Sequence, residues 1–83
     1  MQILKQGKVL ALSKLKVGQA AIVLRIEGSG ELRYRLLEMG IIKGTKLKFE
    51  RVAPLGDPLV ISVQGFRLSL RKIEASLIIV QRK

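Results

Sequence analysis

Apolar and polar positions change period along the chain. Around residue 22 the period is two: Ile22, Leu24 and Ile26 alternate with Val23, Arg25 and Glu27, which reads as a strand. Gly28-Ser29-Gly30 ends it. Leu32, Leu36 and Met39 then fall at i, i+4 and i+7, one face of a helix. Ser29 is placed to cap its start, Glu31 puts an acid in its first turn, and Gly40 is placed to stop it in the left-handed conformation. A helix this short is held by docking rather than by propensity. Past the turn at Lys43-Gly44-Thr45 the period returns to two. Leu47, Phe49 and Val52 are expected to face in, against Lys46, Lys48 and Glu50 facing out. Leu59, Ile61 and Val63 alternate with Val60, Ser62 and Gln64. After a turn at Gly65, Phe66, Leu68 and Leu70 alternate with Arg67, Ser69 and Arg71. A closing strand is expected over 77–81.

These elements predict a mainly β fold: a small SH3-like β-barrel of about five strands, with one short inserted α-helix (about 30–39) and a short helical turn near 71–75. Short strands joined by glycine turns favour closure, which leaves few edges exposed. An open sandwich of strands and helix is the alternative architecture. The 83 residues suffice for one domain, expected over 12–83, with residues 1–11 as an N-terminal extension available to pair as an extra strand. A chain this short buries roughly 60% of its unfolded surface, so the core is thin. With one Tyr, two Phe and no Trp, that core must be aliphatic.

Charge changes the picture more than composition does. Sixteen Lys and Arg against six Asp and Glu leave +10, which favours acidic partners. The cations are spread from Lys5 to Lys83, a pattern that also suits a solvated outer face. No apolar run approaches the length of a membrane span, and the first eight residues lack a secretory signal's apolar stretch. The expectation is a soluble chain that stays inside the cell.

Catalytic chemistry has little to work with. There is no Cys, which excludes disulfides and thiolate sites, and no His, the commonest general base and transition-metal ligand. Glu31 and Glu38 share a helix face, but Arg33 and Arg35 beside them point to surface ion pairing rather than a paired-acid mechanism. Gly28-Ser29-Gly30 before a helix suggests an anion loop, yet no Gly-Lys-Ser/Thr follows. A metal would have to use Glu38 and Asp57 with Met39 nearby, a poor set for ferrous ion. No catalytic, cofactor or metal residue is therefore assigned.

What remains is a proline loop and a set of ordered segments. Pro54 and Pro58 bracket Leu55, Gly56 and Asp57 in Ala53-Pro54-Leu55-Gly56-Asp57-Pro58, which disfavours helix and central strand. Before it stands Arg35-Leu36-Leu37-Glu38-Met39-Gly40-Ile41 with Lys43-Gly44-Thr45. After it come Gly65, Leu68-Ser69-Leu70-Arg71 and Glu74-Ala75, and Leu12-Ser13-Lys14-Leu15-Lys16-Val17-Gly18 opens the series. In this order and spacing, over about residues 12–81, the chain resembles the FeoA family.

The resemblance implies an SH3-like barrel with a helix after the first long strand, and a role beside FeoB, a membrane transporter of ferrous iron with a cytosolic GTP-binding domain. It implies an interaction module without catalytic residues or cofactor. Such a module docks on the transporter's GTP-binding domain or membrane portion, meets the membrane only through that partner, and has room for weak self-association. Its place is the cytoplasm, at the inner face of the plasma membrane when bound. The partner-binding candidates are Arg33, Arg35, Met39, Pro54, Leu55, Gly56, Asp57, Pro58 and Arg71. Two other readings compete. The +10 charge permits nucleic-acid binding, but specific single-strand readers stack bases on aromatics, and alternation places Phe49 and Phe66 inside. Similar domains also end metal-dependent repressors, which suggests a metal-sensing regulator.

Overall fold

The period-two segments form one antiparallel sheet in the computed structural model, which describes residues 7–83. In chain order the elements are β1 (Val9–Ala11), a 3₁₀ turn (Leu12–Lys14), β2 (Ala20–Ile26), α1 (Gly30–Glu38), β3 (Lys46–Val52), β4 (Leu59–Val63), β5 (Phe66–Leu70), α2 (Lys72–Ala75) and β6 (Ile78–Arg82). The strands lie in the order β1-β6-β2-β3-β4-β5. Six strands are thus present among the described residues where about five were expected. The additional one is β1, whose Val9, Leu10 and Ala11 pair with Gln81, Val80 and Ile79. Of the rest of the expected extension, residues 1–6 lie outside the described residues.

The inward phase of β2 differs from a simple alternation. Ala21, Val23 and Ile26 are buried, whereas Ile22 and Leu24 are only half-buried. The cause is a bulge between Val23 and Arg25, where the pairing with β6 shifts by one residue. A second bulge between Phe49 and Arg51 shifts β3 against β4. It carries Val52 opposite buried Leu59, but at the strand's end Val52 is left 38% exposed rather than facing in. Phe66 departs from expectation for the same reason. It pairs with buried Val63, in the inward phase, yet lies 52% exposed at the hairpin tip, where the core has run out.

The helix α1 begins after Ser29, whose backbone is extended, as an N-cap's should be. The expected hydroxyl cap is absent: Ser29 makes no side-chain cap hydrogen bond among the described residues. The helix end matches its sequence signal. Gly40 has φ +90°, its N–H donates to the Leu37 carbonyl at 3.0 Å, and the Ile41 N–H donates to the Leu36 carbonyl at 3.1 Å. These two bonds make a Schellman stop, and its usual apolar contact is supplied by Leu36 and Ile41, both fully buried. Buried Thr45 ties off the following turn: its Oγ1 donates to the Gly40 carbonyl at 3.1 Å and accepts from the Ile42 N–H at 3.3 Å.

The core draws on every layer. Leu12 from the 3₁₀ turn, Val23 from β2, Leu36 from α1, Ile61 from β4, Leu70 from β5 and Ile78 from β6 are all fully buried. Each such aliphatic side chain stabilises the fold by about 1.5–3 kcal/mol on transfer from water. Among the described residues no helix is long and apolar enough to cross a membrane.

Candidate functional site: a proline loop on a polar corner

Residues 53–58 connect β3 to β4 as a closed loop. The Ala53 N–H donates to the Pro58 carbonyl at 3.0 Å, and the Gly56 N–H donates back to the Ala53 carbonyl at 2.8 Å. Pro54 stiffens the turn, and Gly56, at φ +89°, takes the conformation that other residues resist. The Asp57–Pro58 peptide is cis. Leu55 stands at the tip, 96% exposed.

A polar bond joins this loop to α2, and another joins α2 to α1. The Asp57 carboxylate accepts from the Lys72 N–H at 2.9 Å, so the loop caps the start of α2 from outside. Within α2, Glu74 Oε1 accepts from the Arg71 N–H at 2.8 Å, and its Oε2 accepts from Arg35 Nη2, on α1, also at 2.8 Å. Glu74 is 3% exposed, a buried carboxylate held by one backbone donor and one guanidinium. The result is an open groove lined by Arg35, Asp57, Pro58, Ser69, Arg71 and Glu74. Pro54 and Pro58 line a neighbouring depression with Arg51, Val52 and Val60.

Four of the expected partner-binding residues, Arg35, Asp57, Pro58 and Arg71, therefore meet in one groove. Pro54, Leu55 and Gly56 belong to the loop that walls it. Arg33 does not: it lines a separate groove with Gly28, Ser29, Gly30 and Tyr34. Met39 ends α1 half-buried and packed against the core. The residue that site reasoning missed is Glu74. Its signal was an acid three residues after Arg71 at the start of a helical turn, the capping-box position.

Both of the groove's carboxylates already accept backbone N–H groups, Glu74 from Arg71 and Asp57 from Lys72. No group of three acidic, His or Cys residues forms a metal cage among the described residues.

Comparison with known proteins decides the family. Residues 10–82 match the FeoA domain model. The chain belongs to the FeoA family. A Fe(2+) transport protein A/Fe(2+) transporter FeoB fusion protein of Porphyromonas gingivalis is 38% identical over 72 residues, which are 87% of this chain and 8% of the fusion protein's length. Iron(II) transport protein A from Clostridium thermocellum superposes with a TM-score of 0.82 at 43% identity, covering 87% of this chain and 44% of that one. Stenotrophomonas maltophilia FeoA complexed with zinc, described as a prokaryotic SH3 domain protein, superposes with a TM-score of 0.75 at 29% identity, covering 86% and 88% of the two chains. The fold of this FeoA-family chain is accordingly a small SH3-like β-barrel, mainly β, with α1 inserted after β2.

Proposed function

We propose that this domain is a non-catalytic docking module that binds a FeoB-like ferrous-iron transporter from the cytoplasmic side and tunes its transport or GTP turnover. The observation that carries the reading is the Porphyromonas gingivalis relative, in which a FeoA segment and FeoB are one polypeptide. A tether raises the effective concentration of one part around the other, so fusion is useful only where the two parts engage. In this chain, the proline loop is the docking edge. Its turn is closed by its own hydrogen bonds, so it has little ordering entropy left to lose on binding. Leu55 is its exposed apolar anchor, and Arg35 and Arg71 on the rim steer it to an acidic surface. The ferrous ion is the transporter's cargo, and the module stays at the inner membrane face only through its partner.

The test is a binding titration against the cytosolic GTP-binding domain of a FeoB-like transporter at physiological salt, with wild type and Leu55→Asp. Saturable binding that Leu55→Asp removes, with an unchanged circular dichroism spectrum, is the expected result. Absence of binding in every nucleotide state would transfer the contact to the membrane portion. Equal binding by both proteins would move the docking edge off the loop.

A further inference from the structure

The sheet has two edges, β1 and β5, and β5 is the more accessible to a partner strand. It is five residues long against three, and among the described residues nothing pairs with its outer side. Its register fixes which backbone groups are free. Gln64 and Gly65 both have positive φ, 47° and 92°, as a two-residue type I′ hairpin requires. The flanking pair, Val63 and Phe66, then exchanges hydrogen bonds, and bonded pairs recur at every second residue. Phe66, Leu68 and Leu70 turn their backbone groups toward β4. Arg67 and Ser69 turn theirs to the open side.

Side chains alternate along the same edge. Phe66 and Leu68 lie in the inward phase but incompletely covered, the first 52% exposed and the second half-buried. Arg67 lies in the outward phase, in a cross-strand row with Ser62 of β4 and Lys48 of β3. Lys46 shares that outward phase on β3, and Arg51 pairs with Val60 in the next outward row. None of Lys46, Lys48, Arg51 and Arg67 has an acidic partner among the described residues. Glu50, in the β3 bulge, is the acid in the shallow depression at Phe66 and Arg67.

We infer that the β5 edge binds an extended acidic protein segment as an added strand, with alternate apolar residues covering Phe66 and Leu68 and alternate carboxylates facing Arg67. Main-chain bonds to Arg67 and Ser69 supply the pairing, and the two side-chain rows supply the selection. A second copy of the chain fits worse, because it sets two +10 molecules together. This surface is defined by its own chemistry and does not rest on the transporter reading.

The probe is a synthetic peptide of alternating Val and Glu, blocked at both ends and titrated into the full chain while amide shifts and hydrogen exchange are followed by NMR. Slowed exchange at Arg67 and Ser69 is expected, with shifts along β5. Arg67→Glu weakens binding at least about tenfold, whereas Leu55→Asp leaves it unchanged, which separates this surface from the proline loop. The same peptide N-methylated on its edge-facing amides does not bind, a control that leaves the protein's fold untouched. The inference is overturned by no response up to millimolar peptide, by equal binding of a Val–Lys peptide, by undiminished binding of the methylated one, or by a dimer that already protects the Arg67 and Ser69 amides. Preferential protection of those amides by a single-stranded oligonucleotide overturns it in favour of nucleic acid.

Discussion

The sheet core and the corner where α1, α2 and the proline loop meet are stabilised by opposite means. In the core, Ile61, Val63, Ile78 and Val80 are buried among other aliphatic side chains, so what matters is apolar volume. At the corner, Glu74 is equally buried yet charged, and its place depends on Arg71 N–H and Arg35, while Asp57 serves Lys72 N–H. A core position tolerates another aliphatic of similar size. A corner position loses stability when its acceptor atoms are removed, because the donors it served lose their protein partners. The corner is also the rim of the proposed docking groove, so under that proposal the polar bonds that fix its shape would serve recognition as well as stability.

Substitutions can break this comparison, and the largest effect belongs to the core. Ile61→Ala should cost about 2–5 kcal/mol in chemical denaturation, because the cavity adds to the lost transfer energy. A cost well below that range would mean that so thin a core collapses around the gap. Glu74→Ala should cost about 2 kcal/mol, by removing the acceptor of the part-buried Arg71 N–H. Arg35→Ala should cost about 1 kcal/mol or less, since its side chain is 63% exposed and solvent screens the pair. If Arg35→Ala proved as damaging as Glu74→Ala, the ion pair rather than the capping bond would hold the corner. Asp57→Ala should cost about 1 kcal/mol, as for loss of a helix cap, and loosen hydrogen exchange at Lys72 before it affects the sheet. Leu55→Asp should change stability by less than about 0.5 kcal/mol, so its effect can be read on binding alone.

The core was largely legible because it follows period. Leu36, Leu47, Phe49, Leu59, Ile61, Val63 and Leu70 sit where alternation and helical spacing place them. Legibility failed where the sheet inserts a residue, as in β2, or where the core ends, as at Val52 and Phe66. Neither a bulge nor the extent of a core is a property of a local window. The proline loop was legible from its own residues, since Pro54 and Pro58 limit the backbone wherever they occur. Its attachment to α2 was not, because Asp57 and Lys72 are fifteen residues apart. Arg33 and Arg35 show the same limit at close range. Two residues apart, they stand on different faces of one helix, and the packed position of α2 decides what each face meets.

By itself, then, the sequence determined the mainly β class, the short helix with its glycine stop, the aliphatic core, the absence of His and Cys chemistry, and the excess of positive charge. These are consequences of residue type and of spacing within a few positions. Tertiary structure alone decided that Glu74 is the buried hub of the corner, that Phe66 is open, and that β5 rather than a central strand presents free backbone groups. The reason is physical: burial and strand order depend on which distant segments meet, and no local pattern of side chains encodes what will lie on the other side of them.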